Sequence, residues 1–277
     1  MSMRVATNIA SVNAMRNLYN NNAAIDSNFE KLASGSRINK AADDAAGLAI
    51  SENLKAQIRS AHQATRNAND GVSLVQTAEG GLNEMSNIII RIRELGIQAA
   101  SDTVGDTERG FINTEVQQLK SEMQRISDST KWGKTKLLDG STPTFDFQVG
   151  LNNSAESDRL SFDSAGNVAT LDALGLKSVD FTTKEGASDA LANLDGAQTE
   201  VNRIRSNLGA LQNRLVSTIN NLGVQAENLS AANSRIRDTD MAEATADLTK
   251  NQILMQANTA TLSNANQKNA LALKLLG

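Results

Sequence analysis

Residues 44–99 read DAAGLAISENLKAQIRSAHQATRNANDGVSLVQTAEGGLNEMSNIIIRIRELGIQA. Leu54, Ile58, Ala61, Thr65, Ala68, Val72 and Val75 recur in alternating steps of four and three residues. After one short step, Ala78, Leu82, Met85, Ile89, Ile92, Gly96 and Ala99 resume the alternation. This spacing predicts one helix with a coiled-coil seam, about 80 Å long if unbroken. A stripe so narrow must find a partner helix before it is stable. Gly80 and Gly81 are the weak point, costing about 1 kcal/mol each against alanine. They mark either a hinge or a place where another helix approaches closely.

A partner stripe lies far along the chain, over 188–236: Leu194, Ala197, Val201, Ile204, Leu208, Leu211 and Leu215, then Ile219, Leu222, Ala226 and Leu229. A shorter helix is predicted over 107–128, with Ile112, Val116, Leu119, Met123 and Ile126 on one side. At the N-terminus a helix over 4–33 carries two stretches out of phase: Val5, Ile9 and Val12, then Leu18, Asn22, Ile25, Phe29 and Leu32. Asparagine is frequent in it and is a poor helix former, so this helix is expected to order only against partners. Residues 34–42 break the pattern, and Asp43 and Asp44 stand where a helix start favours carboxylates. A last helix over 237–275 places Met241, Leu248, Met255 and Leu262 seven apart, with Ala244, Asn251, Asn258 and Ala265 between them. Seam asparagines weaken a coiled coil but fix its register. The tail residues Leu271, Leu273, Leu275 and Leu276 are expected to be buried in a partner.

Between these helical halves the character changes. Gly133, Gly140, Pro143, Gly150 and Gly166 punctuate short apolar runs, and Phe145–Val149 and Arg159–Phe162 alternate as strands do. The fold class that follows is mainly α: an elongated antiparallel coiled-coil rod built by the N- and C-terminal halves, with a small β-hairpin-rich section at about 129–187. Two domains are expected. Residues 1–43 plus 237–277 form a terminal-helix domain, and 44–187 plus 188–236 form a rod-like one. The first helix pairs with the last, and the second with 188–236.

Composition agrees. Aromatics are only 3% and Pro143 is the single proline, which suits long helices better than a large globular core. The net charge of -4 argues against nucleic acid as a partner. The lack of cysteine excludes disulfides and thiolate metal sites. The segment MSMRVATNIASV lacks the apolar core of a cleaved signal peptide, and no run is long enough to insert in a membrane. His62, the only histidine, stands without a metal-ligand pattern, so a surface or packing role is expected. Asp43 and Asp44 have no base or nucleophile beside them and read as caps. No catalytic, metal or cofactor constellation is present in the sequence, so an enzyme is not expected.

The segment Leu32-Ala-Ser-Gly-Ser-Arg-Ile-Asn-Lys-Ala-Ala-Asp-Asp-Ala-Ala-Gly-Leu-Ala-Ile50 closely resembles the N-terminal signature of bacterial flagellins. Arg91–Leu95, Asn228–Ile236, Lys250–Leu254 and Ala265–Gln267 resemble further segments of that family. The likeness covers about 1–150 and 188–277. It implies a short subunit without large outer domains. Its terminal helices would form the inner tube of a filament and the next helices the outer tube. It also implies self-assembly through Ile25, Phe29, Leu32, Met241, Leu248, Met255 and Leu262 into a homopolymer that serves swimming.

The same resemblance implies export through the flagellar type III apparatus without a cleaved signal. A flagellar export chaperone, a filament cap and hook-junction proteins are implied as partners. Arg91, Leu95 and Glu115 match a face that Toll-like receptor 5 recognises in some members, or they serve subunit contact; Ile90 stands where the family carries glutamine. Asn269 stands where the family carries proline, so the last helix is expected to run on. Serines and threonines between Gly140 and Thr183 are candidates for O-linked sugars. Other readings are a hook–filament junction protein and a secreted helical adhesin or receptor ligand.

Overall fold

The computed structural model describes residues 7–141 and 144–274, with side chains as far as 267. Five helices dominate: α1 (Ile9–Ser34), α2 (Ala45–Ala99), α3 (Asp106–Ser129), α4 (Lys184–Arg237) and α5 (Met241–Lys274). Two antiparallel hairpins lie between α3 and α4. One joins β1 (Lys131–Trp132) to β2 (Thr135–Lys136), the other β3 (Thr144–Gln148) to β4 (Arg159–Asp163). The mainly helical class, the helix pairings and the small central hairpins are those the sequence pattern predicts. Val5, Pro143, Leu275 and Leu276 fall outside the described residues, as do the side chains of Leu271 and Leu273, although α5 runs on through position 269 as expected.

The chain divides into two compact units, a terminal one (1–58 and 227–277) and a central one (59–226). In the central unit the predicted stripes meet. Ala68, Val75, Ala78, Leu82, Met85, Ile89, Ile92 and Ala99 of α2 join Ile112, Val116 and Met123 of α3 and Leu194 to Leu215 of α4 in one core. Gln198 Nε2 of α4 donates to Ser86 Oγ of α2 at 2.8 Å, and Arg93 Nε donates to Asp195 at 2.7 Å, so these two helices run antiparallel. A fully buried Leu, Ile or Met contributes roughly 1.5–3 kcal/mol against its exposed state, so this core is where the unit's stability resides.

The pair Gly80–Gly81 leaves α2 continuous. A methyl group at Gly81 would stand 2.6 Å from Thr130 Oγ1 and 3.2 Å from Leu138 Cδ1, whereas Gly80 faces open space. Gly81 is therefore a close-approach site, but what it admits is the chain flanking the first hairpin and not the face of another helix.

The central segment is less β-rich than its glycine punctuation predicts. Its strands are short, and residues 164–183 cover the helices largely as irregular chain. In the hairpin β3–β4 the rings of Phe145 and Phe162 lie 6.0 Å apart, and Leu160 and Phe162 are buried. Further on, Ala169, Leu174, Leu176, Val179 and Phe181 enter the same core. Phe181 lies over Gly96, where an added methyl would meet its ring at 3.1 Å. Buried Lys120 holds this cover from α3: its ammonium donates to the carbonyls of Lys177 and Val179, both at 2.9 Å. Burial lowers the Lys120 pKa, opposed in part by Asp180. The turn after α2 is tied by buried Arg109, which donates to Ala99 O, Ser101 O and Asp106.

Candidate assembly face

The terminal unit is built on the antiparallel pair α1 and α5. At one end Asn8 Nδ2 donates to Ala265 O at 3.0 Å, and at the other Ser36 bridges Asp238. On α5, Ala244, Leu248, Asn251, Met255, Asn258, Leu262 and Ala265 are buried or half-buried, and every other side chain from 241 to 267 is exposed. On α1 the covered positions include Ala14, Leu18, Asn21, Ile25, Asn28 and Leu32. This departs from the stripe predicted for α1. Asn21 and Asn28 turn inward, and Asn22 and Phe29 turn out.

The physical reason is that α1 has two apolar sides and α5 can cover only one. Ile9, Val12, Met15, Tyr19 and Phe29 stay exposed on α1 outside the seam, and Met241, Ile253 and Leu254 stay exposed on α5. Tyr19 is 76% exposed and Ile253 61%. Large apolar side chains gathered in water on two adjoining helices are the general mark of a protein contact surface. Of the residues singled out from sequence, Ile25, Leu32, Leu248, Met255 and Leu262 lie in the internal seam, while Phe29 and Met241 lie on the open side. Sequence reading passed over Met15, Tyr19, Ile253 and Leu254 as surface members. Their signal is that they are large, apolar and out of step with the seam.

The breaks between α1 and α2 and between α4 and α5 are joined to each other. Helix α1 ends at Gly35, whose φ of 68° is left-handed and spares a side chain its steric penalty. Gly35 O accepts from Thr239 N at 3.0 Å, Arg37 N donates to Arg237 O at 2.6 Å, and the Arg37 guanidinium reaches Ile236 O at 2.7 Å. Arg237 is bonded to Glu52 on α2. Asp44 caps α2 through Gly47 N at 2.8 Å, as its position predicts, and Asp43 accepts from the amides of Asn39 and Lys40. Lys40 pairs with Glu30 at 2.8 Å, which raises the lysine pKa.

The Lys40 and Asn39 amides hold the Asp43 carboxyl below its ordinary range, and the Arg237 bond does the same for Glu52. A carboxylate lowered in this way stabilises the fold above its unfolded pKa, and the contribution is lost as pH falls through the lowered value. As pH drops below about 4, hydrogen-exchange protection of the Arg37 and Thr239 amides is expected to fall before that of the core amides in α2. Equal protection at both places through the acid range would contradict this role.

In the central unit Arg91 donates to Glu115 at 2.9 and 3.1 Å and to Glu94 at 3.1 Å; the two carboxylates raise the arginine pKa. Arg91, Glu115 and Ile90 are exposed, while Leu95 is buried in the central core at 3% exposure. His62 is exposed. Among the described residues no group of acidic or histidine side chains has the arrangement of a metal site, and no helix is long and apolar enough to cross a membrane.

An antiparallel terminal pair with an uncovered apolar side, joined at its breaks and followed by a well-packed helical unit, defines a self-assembling helical subunit. The chain belongs to the bacterial flagellin family. Residues 5–142 match the bacterial flagellin N-terminal helical region, and residues 191–276 match the C-terminal helical region. The flagellin of Halalkalibacterium halodurans is 44% identical over 274 residues, covering 99% of this chain and all of the relative. The flagellin of Bacillus subtilis is 42% identical, again over 99% of this chain and all of the relative. The crystal structure of Bacillus cereus flagellin superposes with a TM-score of 0.51 at 28% identity, over 61% of this chain and 94% of that one.

The chain is thus a structural subunit of the flagellar filament and not an enzyme, and it polymerises. Only residues 143–190 separate the two matched segments, so it is a short form without large outer domains.

Proposed function

We propose that the open apolar side of α1 and α5 is the surface through which each copy joins its neighbours in the filament. The observation that carries this is the placement of Ile9, Val12, Met15, Tyr19, Phe29, Met241, Ile253 and Leu254 in water on one helix pair. In this reading 1–43 plus 237–277 form the inner-tube domain and 44–236 the outer-tube one. Ile25, Leu32, Leu248, Met255 and Leu262 close the pair, and Phe29 and Met241 bury against other copies. Subunits leave the cell through the flagellar type III apparatus without a cleaved signal, accompanied by an export chaperone, and add beneath a cap onto hook-junction proteins. Arg91 and Glu115 serve subunit contact on the outer tube, with Leu95 supporting them from the core. Toll-like receptor 5 is the partner to which the family likeness points for the same face.

Protease protection tests the assembly surface. In the free subunit, limited digestion is expected to trim both ends and to stop near residues 45 and 236, because the half-covered pair is only marginally stable and opens at low free-energy cost. In seeded filaments the same bonds should resist digestion. Ends that are equally resistant in the free subunit, or equally sensitive in the filament, would overturn the reading.

A further inference from the structure

Four of the five described methionines fall into two sets. Met85 and Met123 are fully buried in the central core, whereas Met15 and Met241 are 60% and 53% exposed on the terminal helices. Met255 is half-buried in the seam between them. Met15 lies within one helical turn of exposed Val12 and Tyr19, so its thioether is part of the open apolar side. We infer that Met15 and Met241 are oxidation sites through which a hydroperoxide halts filament growth. The inference rests on the assembly surface proposed above.

The chemistry is a two-electron transfer. The thioether sulfur attacks one peroxide oxygen, the O–O bond breaks, and a sulfur–oxygen bond forms. The departing hydroxide takes the proton from the oxygen left on sulfur and leaves as water. Sulfur is oxidised to the sulfoxide and the peroxide is reduced. Reactivity follows access, so the two exposed thioethers react before the buried ones. A sulfoxide replaces a soft apolar group with a strongly polar oxygen. Burying that oxygen without a donor opposes assembly, and the oxidised side chain is no longer matched to an apolar surface. The free subunit stays folded, because neither sulfur contributes to the central core. A methionine sulfoxide reductase reverses the change.

The test uses the full chain as free subunit, treated with graded hydrogen peroxide, with sulfoxides mapped by mass spectrometry and elongation measured on untreated seeds. At the dose that modifies Met15 and Met241 but not Met85 or Met123, elongation is expected to slow at least tenfold and to recover after reductase treatment. A Met15→Leu/Met241→Leu chain, compared with itself before and after the same dose, should keep its own rate within twofold. An oxidised wild type that elongates at its untreated rate overturns the inference, as does a doubly substituted chain that loses as much as wild type. Unoxidised Met15→Asp separates the two proposals. If it elongates normally, the assembly surface itself is misplaced. If it is blocked while oxidised wild type elongates, the redox inference alone falls.

Discussion

Ile253→Asp is expected to abolish growth from seeds while leaving the free subunit's helix content and thermal transition unchanged. Ile253 is 61% exposed on α5 and outside the seam with α1, so in the monomer its replacement exchanges one solvated side chain for another. In the filament the aspartate would be carried into an apolar contact without a partner. Burying an unpaired polar group costs on the order of 3 kcal/mol, a factor of about 100 in addition of a subunit, and a charge costs more.

Leu248→Asp gives the informative contrast. Leu248 lies half-buried in the α1–α5 seam. Its substitution should block growth and also release the terminal pair in the free subunit, with the unit 59–226 still folded. Normal filaments from both variants would remove the terminal helices from the assembly mechanism. A loss of monomer helix in Ile253→Asp equal to that in Leu248→Asp would place Ile253 in the seam instead.

Phe181→Ala is expected to be the most damaging single truncation in the central unit. The ring is fully buried, lies over Gly96 and sits in the stretch that Lys120 holds to α3. Phe→Ala substitutions in well-packed cores cost about 3–5 kcal/mol. For a unit of this size that lowers the thermal midpoint by about 10 °C. Hydrogen exchange of the core amides of α2 and α4 reports the unfolding of this unit without a contribution from the terminal helices. A loss under about 1 kcal/mol by that signal would mean the cover over α2 adds little to stability.

These two sites differ in how far the sequence announces them. The seam of α2 with α4 is legible because its covered positions repeat at the helical period, even though Ile90, Ile97, Val216 and Val224 stay exposed. Phe181 has no such signal. It lies in irregular chain whose burial is decided by tertiary contact, and single apolar residues between glycines and serines carry no period. Helix α1 fails for another reason. Pattern reading assigns Phe29 to the seam over Asn28, because an apolar residue ordinarily outranks asparagine for a covered position. The fold places Asn28 and Asn21 inward and keeps Phe29 for the outside. A helix with two apolar sides is ambiguous to any one-partner reading, and the ambiguity is itself the trace of assembly. Arg91 with Glu115 was legible only through family likeness, since residues 24 apart on different helices share no local pattern.

The bond set joining Gly35 and Arg37 to Arg237 and Thr239 fixes one chain break against the other. Since the far end of the same helix pair is also tied, Asn8 to Ala265, the lengths of α1 and α5 are not independent quantities. Inserting one heptad into α1 alone would put every later layer opposite the wrong partner, or else tear the joint open. Matched insertions in both helices would restore each layer. Chain length in this region is therefore inherited in pairs, and any engineered or natural extension that grows filaments must carry its counterpart 199 to 257 residues away, the separations of the Arg37–Ile236 and Asn8–Ala265 bonds.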